Sequence, residues 1–458
     1  MNRATSLAIL ISLAGAWESH AQNTVPPVDD STNLPALNSV SSSIETPSGD
    51  QAPTPIGSGS STSGTAYPPL LTQQYYYTNP KQGTTPDGVN HLLSQDGRFR
   101  AYGWLDAGGI YNTSQPGSGY NGPYNAVDST TPTFNQAYLV MEMKRPENSD
   151  FGVGGRVDVL YGNDFFLAQS AGFELNRDGT RKWNSSVSNG LAMPQAYLEV
   201  GSDTFFVQVG HFYTVVGYEG VQSANNFFYS HAYSYQFAGP FTQWGGLVTW
   251  RPNSNWEVQA GPVNGWNTLD GTPNNVEFLG KAKYTSDSKD WWTSFAIITG
   301  NMTNKASIVP GLAPAIANRT RYSFLYDRKI TNNVEYVFHQ WLGAQQDGTS
   351  NGSTANWYGI DQYMFYTISS NWKFGGRFEW FRDEAGTRVG LNRPGNPNVP
   401  PLPGNYFSFT VGPNYSPSPN LVVRPEIRYD TYNGSAQPFD DGRKTQQLMF
   451  GVDVIVKF

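Results

Sequence analysis

The stretch that decides the fold is TQQLMFGVDVIVKF, residues 445–458. Every second residue near its end is large and apolar: Phe450, Val452, Val454, Val456 and Phe458. The residues between them are Gly451, Asp453, Ile455 and Lys457. Because successive side chains of a strand point to opposite faces, this stretch predicts a strand with one apolar face and one face that carries charge.

The same two-residue period recurs from Phe99 onward. In residues 151–161, for example, Val153 and Val157 alternate with Arg156 and Asp158. No stretch shows helical spacing with caps, and the alternation predicts sixteen strands between Gly-, Asn-, Asp- and Pro-rich breaks. They are 99–111, 134–144, 151–161, 193–200, 204–213, 243–250, 256–265, 276–286, 291–300, 319–330, 334–344, 357–368, 372–383, 406–415, 421–430 and 445–458.

The connections between these segments alternate in length. Those after even-numbered segments are short, such as 201–203 and 369–371, and those after odd-numbered segments are mostly long, such as 162–192 and 214–242. Outer-membrane barrels have short turns at one rim and long loops at the other. The sequence therefore predicts an all-β fold: a single transmembrane antiparallel β-barrel of about 16 strands, with short periplasmic turns and long external loops.

The composition narrows the class of protein. The 458-residue chain has 14% charged residues, no cysteine and a formal net charge of −7. The absence of cysteine excludes disulfides and thiolate metal sites, and the acidic balance argues against nucleic acid as a partner. After the first residues no run approaches 18 apolar residues, so a membrane location requires a closed barrel.

The N-terminal residues differ from the rest. Residues 1–21 predict a signal peptide, with Arg3 before an apolar core at 7–16 and cleavage after Ala21. Residues 22–92 are rich in Pro, Ser, Thr and Gly, which predicts a flexible periplasmic segment. The barrel is expected over 93–458, in the outer membrane of a two-membrane bacterium.

Aromatic residues near the segment ends predict girdles at the two membrane interfaces. The residues assigned to these girdles are Trp104, Tyr111, Trp250, Trp256, Trp291, Trp292, Trp357, Trp372 and Trp380.

Charges at inward-facing positions predict the lining of a water-filled lumen. Arginines and carboxylates are nearly balanced there, so we expect them to pair along the wall rather than to select one ion strongly. The predicted pore-lining residues are Arg100, Glu142, Arg156, Asp158, Glu257, Arg377, Glu379, Arg424, Glu426 and Arg428.

The connection 214–242 is unusual because it holds one charged residue, Glu219, and a dense aromatic cluster. Such a loop either folds inward as a constriction or packs against a neighbouring subunit, and we expect the constriction. Its candidate residues are Glu219, Phe227, Phe228, Tyr229, His231, Tyr233 and Tyr235. His231 is expected to pack and form hydrogen bonds rather than to gate the pore.

Three features carry a resemblance to a known family. They are FFYSHAYSYQFAGPFTQWGG (227–246), FRAYGWLDAGGIYN (99–112) and the last strand ending on Phe458. Over about residues 92–458 the chain resembles the β-barrel porins described as porin-2, OmpL-like. The resemblance implies an outer-membrane location and passive passage of small hydrophilic solutes, without catalytic residues. Phe458 also resembles the terminal aromatic residue that the barrel assembly machinery reads.

Two other functions stay open at this point. The first is a secreted β-sandwich that binds glycans through its aromatic residues. The second is an outer-membrane barrel hydrolase, for which His211 and His339 are the only histidines on predicted strands. No GxSxG or HExxH motif supports the hydrolase.

We expect no cofactor and no metal ion. Asp440 and Asp441, near Asp430, could attract Ca²⁺, but acidic loop residues are usually only solvated. The expected partners are outer-membrane lipids, the assembly machinery and small solutes, with a homotrimer expected only by analogy with sixteen-strand porins.

Overall fold

The protein folds as a closed antiparallel barrel of sixteen strands in chain order, with β1 paired to β16. The computed structural model describes residues 98–123, 132–147, 149–176, 179–184, 188–270, 276–303, 316–390 and 402–458. The predicted signal peptide with its Ala21 cleavage site and the predicted segment 22–92 lie outside these residues. The predicted fold is confirmed, and a β-sandwich is wrong because the strands form one closed sheet.

The strands fall within a few residues of the predicted segments. They are β1 Phe99–Asn112, β2 Thr133–Met143, β3 Gly152–Gly162, β4 Gly190–Gly201, β5 Phe205–Tyr213, β6 Thr242–Trp250, β7 Trp256–Val263, β8 Glu277–Thr285, β9 Trp291–Thr303, β10 Ile316–Lys329, β11 Val334–Gln345, β12 Ala355–Thr367, β13 Trp372–Asp383, β14 Gly404–Ser418, β15 Leu421–Gly434 and β16 Gln446–Lys457.

Short connections follow the even-numbered strands and long ones follow the odd-numbered strands, as predicted. We call the two ends of the barrel the turn rim and the loop rim. Helical structure in the described ranges consists of the 3₁₀ turns Asn163–Leu167 and Ser223–Asn225 and the α-helix Tyr233–Phe237, here α1. None of these has the length and apolarity of a membrane-crossing helix.

The seam that closes the barrel uses the stretch that began the sequence argument. Residues Trp104–Asn112 of β1 pair with Met449–Lys457 of β16. The seam ends with two backbone hydrogen bonds: the Gly103 N–H donates to the Phe458 carbonyl at 2.9 Å, and the Phe458 N–H donates to the Gly103 carbonyl at 3.0 Å. Closure leaves no unpaired sheet edge, which a bilayer would not tolerate.

Side-chain burial follows the predicted two-residue period. In β16 the side chains of Phe450, Val452 and Val454 are 38–46% exposed on the outside, whereas Asp453 and Ile455 are buried inside. The apolar outer face is the surface that lipid can cover.

Three residues assigned to the aromatic girdles face inward instead. Trp104 is buried and stacks on Tyr138, with ring centroids 4.2 Å apart. Trp357 is also buried and donates from its indole N–H to the Ala238 carbonyl at 2.9 Å. Trp292 lies beneath the Lys283 ammonium, which is 4.4 Å from its ring centroid. That part of the girdle prediction is wrong, because these three residues occupy the inward-facing positions in the two-residue period of their strands.

The inside of the barrel toward the loop rim is an apolar core. Inward residues of many strands pack there against α1 of the connection between β5 and β6. The wall residues include Phe212, Leu247, Leu279, Ile298, Trp341, Trp357, Phe381, Tyr406 and Tyr432. The lumen is therefore filled with side chains over part of its height, whereas the sequence predicted a water-filled lumen narrowed by the connection 214–242.

We expect Val452→Lys to destabilise the barrel by about 2–4 kcal/mol, because it places an ammonium near the middle of the lipid-facing band. Urea unfolding of the protein refolded into lipid vesicles measures the loss. Val452→Leu, which keeps an apolar side chain, serves as the control and should unfold close to wild type. Equal stability of the two variants would contradict the assignment of this face to lipid.

Candidate functional site: the lumen and its inward loop

The connection between β5 and β6, residues 214–241, lies inside the barrel; we call it L3. Its base is closed by a hydrogen bond from the Thr214 N–H to the Phe241 carbonyl at 2.9 Å. Its middle reaches the far side of the barrel, where the Ser230 N–H donates to both carboxylate oxygens of Glu426 at 3.1 Å. L3 thus crosses the lumen from β5 to β15.

The aromatic residues predicted in this loop are divided among several contacts. Tyr233 and Phe237 lie in the apolar core, and Phe228 packs with Tyr363 and Phe365. Phe227 is partly buried in the same cluster as Phe228, with its ring centroid 4.7 Å from that of Phe365. Tyr229 and Tyr235 are partly buried against other parts of the wall. His231 stacks on Tyr235 with ring centroids 4.2 Å apart.

Glu219 is the central anchor of L3. Its carboxylate accepts hydrogen bonds from Arg377 Nη1 at 2.8 Å, from the Tyr363 hydroxyl at 3.0 Å and from the Ala232 N–H at 2.8 Å. Burial raises the pKa of this carboxyl, but Arg377 and the hydrogen bonds from His231 and the Ala232 N–H outweigh burial and lower the pKa to about 2. Glu219 therefore stays ionised well into the acidic range.

Predicted pore-lining residues of β13 and β15 bind the backbone of L3. Arg377 and Arg428 donate to the carbonyls of Ser230 and His231 at 2.7 and 2.6 Å. The Glu379 carboxylate accepts from the Tyr233 N–H at 2.6 Å.

Arg424 extends these contacts to the 3₁₀ turn of L3. It donates to the carbonyls of Ser223 and Asn226 at 2.9 and 2.6 Å. The same guanidinium forms a buried ion pair with Asp453. The charges on this wall therefore pair with each other and also fasten the loop.

A second buried cluster lies on β2 and β3, where the sequence placed Glu142, Arg156 and Asp158. The Arg156–Asp158 ion pair is 2.6 Å long and the Arg156–Glu142 pair is 3.8 Å. Asp158 also accepts from the Tyr138 hydroxyl at 2.5 Å and from Gln222 of L3 at 3.4 Å.

The other two predicted residues lie apart from these clusters. Glu257 is buried and pairs with Arg251 at 2.9 Å. Arg100 is exposed and stands opposite Glu142 in the β1–β2 register, next to the turn rim.

Both strand histidines considered for a hydrolase have a serine partner. His211 Nε2 lies 3.0 Å from Ser170 Oγ, but its Nδ1 faces the Met193 carbonyl rather than a carboxylate. His339 Nε2 lies 2.9 Å from Ser323 Oγ, and its Nδ1 lies 2.8 Å from the Asp361 carboxylate.

The Ser323–His339–Asp361 set has the hydrogen-bond sequence of a hydrolytic triad, and it is also connected to L3. All three residues are buried. The Asp361 carboxylate also accepts from Ser234 Oγ of α1 at 2.5 Å. This chain of hydrogen bonds therefore joins L3 to strands β10, β11 and β12.

The described part of the chain contains no group of three or more His, Asp or Glu side chains placed to hold a metal ion. The acidic residues considered for Ca²⁺ have other contacts. Asp440 pairs with Arg443 at 2.8 Å, Asp441 accepts from the Ser118 hydroxyl at 2.5 Å, and Asp430 pairs with Arg428 at 2.9 Å.

Two cavities flank L3. One of about 190 Å³ lies between L3 and the inward faces of β4 to β8, β10 and β11. Another of about 540 Å³ opens toward the turn rim and includes Lys373 and Asn371 in its lining. Tyr218, Glu219, Asn225 and Asn226 of L3 line both cavities. This segment of L3 is therefore where the two spaces meet.

Sequence reasoning missed several residues of the lumen. Asp361 and Arg321 are buried inward side chains that the predicted lining did not include, whereas the alternation of residues 276–286 does place Lys281 with Glu277 and Lys283 on the lumen face. The two-residue period could have found Arg321, which shares a face with Arg319 and Ser323. The contacts of Asp361 and Arg321 with L3 could not be read from any strand pattern.

A closed sixteen-stranded barrel with an apolar outside, a charged inside and a loop folded into the lumen is the architecture of a porin-type channel. Residues 98–458 match the family model described as "Putative beta-barrel porin-2, OmpL-like", and the chain belongs to this family. It is therefore an outer-membrane porin, a passive diffusion channel. A search of curated proteins finds no match.

Solved structures share the fold at very low sequence identity. The outer membrane channel DcaP of Acinetobacter baumannii is 12% identical, with a TM-score of 0.52 over 79% of this chain and 97% of that chain. The anion-selective porin of Comamonas acidovorans is 9% identical, with a TM-score of 0.52 over 79% and 99%. Pseudomonas putida OprB is 12% identical, with a TM-score of 0.50 over 81% and 97%. At these identities the likeness shows the fold alone.

We expect Glu219→Gln to loosen L3, because it removes the charge that binds Arg377. The loss of one partner from a buried pair costs about 3 kcal/mol, at the low end for such pairs since Arg377 keeps its ion pair with Glu379. Urea unfolding should show this loss, and single-channel recordings should show a larger and noisier conductance. Glu384→Gln, at an exposed carboxylate outside L3, is the matched control. Wild-type conductance in Glu219→Gln would contradict the anchoring role.

Proposed function

We propose that L3 sets the bore of this porin, and that small hydrophilic solutes pass around its segment 218–226. The observation that carries this proposal is the placement of Tyr218, Glu219, Asn225 and Asn226 between the two cavities. A solute that moves from one cavity to the other passes these side chains. The predicted constriction residues outside this segment then act indirectly, by holding it in place.

The packing inside the barrel supports a narrow passage. The apolar core occupies the lumen on the α1 side of L3, and the ion pairs of β13, β15 and β16 fasten its other side. The space that remains consists of the two cavities, the smaller along β4 to β8, β10 and β11 and the larger along β9 to β16 toward the turn rim. In this proposal the predicted pore-lining residues of β13 and β15 serve as anchors of the constriction, because their side chains are almost fully buried.

The orientation follows from the two rims. We propose that the turn rim faces the periplasm and the loop rim the exterior, as in other outer-membrane barrels. In this proposal residues 1–21 are removed after export, residues 22–92 lie in the periplasm, and Phe458 at the turn rim is read by the assembly machinery. Lipids then cover the exposed apolar side chains of the strands.

A homotrimer is a separate proposal, supported only by the strand number that it shares with trimeric porins. Native mass spectrometry of the detergent-extracted protein measures the number of subunits. A monomer at all concentrations would contradict the trimer and leave the channel proposal unaffected.

The absence of cysteine from the chain permits a direct test of the constriction. We expect Asn225→Cys channels in planar lipid bilayers to lose current when treated with a bulky thiol reagent, because the added group would occupy the passage between the cavities. The reagent should leave wild type and Ser254→Cys, at an exposed turn, unchanged. Unchanged current in modified Asn225→Cys would show that solutes pass elsewhere.

The channel itself is tested by the same recordings. Wild type should give discrete, ohmic current steps after insertion. An inserted, heat-modifiable barrel without any current would contradict an open passage around L3.

A further inference from the structure

Inward-facing cations are distributed unequally between the two walls of the lumen. On β13 and β15 each buried arginine pairs with a carboxylate of its own or the next strand, as in Arg377–Glu379, Arg424–Asp453 and Arg428–Asp430. On β8 and β10 the inward cations are Lys281, Lys283, Arg319 and Arg321. Among the described residues, none of these four has a carboxylate within 4.0 Å.

Two of these cations, Lys281 and Arg321, line the smaller cavity. Their side chains are almost fully buried, with exposed fractions of 7% and 2%. Arg321 Nη1 donates to the Val216 carbonyl of L3 at 3.1 Å, while its Nε has no hydrogen-bond partner. Burying cationic groups without a counter-ion is unfavourable, so their arrangement favours an anion in the cavity.

The carboxylates whose negative charge stabilises these two cations have closer partners of their own. Glu257 stabilises the positive charge of Lys281, but it is bound by Arg251 at 2.9 Å. Asp361 stabilises the positive charge of Arg321, but it accepts hydrogen bonds from Ser234 and His339. Neither carboxylate reaches the cations closely enough to form an ion pair.

The rest of the cavity lining is mixed polar and apolar. Side chains of Gln195, Gln208 and Gln259 contribute amide groups, and Tyr235 contributes a buried hydroxyl without a hydrogen-bond partner. The two carboxylates in the lining are already paired, Glu199 with Arg145 at 3.3 Å and Glu219 with Arg377 at 2.8 Å. The volume of about 190 Å³ lies below the ~300–1,000 Å³ of typical small-molecule sites. Only a ligand of a few heavy atoms fits it.

We propose that this cavity is a binding site for a small oxyanion, of the size of a short carboxylate or inorganic phosphate, held by Lys281 and Arg321. The inference rests on the proposed function, because it places the site in the diffusion path beside the constriction. Charge-assisted hydrogen bonds from an ammonium and a guanidinium are the strongest contacts that a protein offers such an anion. The channel then conducts anions in preference to cations and prefers anions that occupy this site.

The experiment uses the full-length channel in planar bilayers. Reversal potentials in a KCl gradient give the ratio of anion to cation permeability. Block of the chloride current by added succinate, acetate or phosphate gives the apparent affinity of the site, and the three ions distinguish carboxylate from phosphate as the ligand.

Wild type should prefer chloride over potassium, and at least one of the three oxyanions should block its current. Lys281→Gln should reverse or remove the preference and weaken the block on the order of tenfold. Lys281→Arg should retain both properties. Lys144→Gln, at an exposed residue next to a short turn, is the matched control and should behave as wild type.

Lys281→Gln is the decisive variant because Arg321 also holds L3. In Arg321→Gln, a higher conductance for both ions with an unchanged permeability ratio would show that Arg321 only fastens the loop, and would overturn its part in the site. Unchanged selectivity and block in Lys281→Gln would overturn the site itself. If wild type conducts no current, the proposed function fails, and equilibrium dialysis of radiolabelled succinate and phosphate against the detergent-solubilised barrel then tests the site alone, with absence of binding overturning it.

Discussion

The structure depends on one constraint, which is that the polar backbone of L3 must be satisfied inside the barrel. A loop carried away from bulk water keeps its N–H and C=O groups, and each group left without a partner costs free energy. The wall supplies the partners through charged side chains: Glu426 and Glu379 accept from the loop, while Arg377, Arg424 and Arg428 donate to it. Ion pairs along the wall fix these side chains in positions from which they reach the backbone of L3.

This constraint explains why the two walls of the lumen differ. Strands β13 to β16 use their charges in pairs that bind L3, so little net charge remains there for a solute. On β8 and β10, Leu279 and Leu325 pack in the apolar clusters that hold L3 side chains, and Arg321 donates to the Val216 carbonyl. The other inward cations of these strands, Lys281, Lys283 and Arg319, form no ion pair among the described residues. The inward charges are nearly balanced in total but unevenly distributed between the two walls of the lumen. In the proposed function, this distribution sets the charges that a passing ion encounters.

The same packing explains the narrow lumen. A sixteen-strand barrel encloses more space than a single row of side chains can fill. Here α1 and the aromatic residues of L3 fill one side together with the inward rings of Trp341, Trp357 and Phe381. In the proposed function, the passage runs between the two cavities, past the 218–226 segment of L3.

The sequence predicted much of the fold because a barrel wall is built from a local rule. Strand positions followed from the two-residue period, and closure followed from the strand count and the alternation of connection lengths. Parity also assigned Asp453 and Val452 to opposite faces correctly. Trp104, Trp292 and Trp357 lie near strand ends, as girdle residues do, but the two-residue period turns their side chains inward.

What the sequence by itself determined is therefore the barrel and its two faces, since each depends on neighbouring residues. For the connection 214–242 the sequence left two paths open, into the lumen or against a neighbouring subunit, and the structure places it inside the barrel. Only the tertiary structure decided what the inward charges do. Arg377 contacts Glu219 at a separation of 158 in residue number, and Arg424 contacts Ser223 at a separation of 201. Such contacts depend on where L3 crosses the lumen, and no local pattern encodes that path.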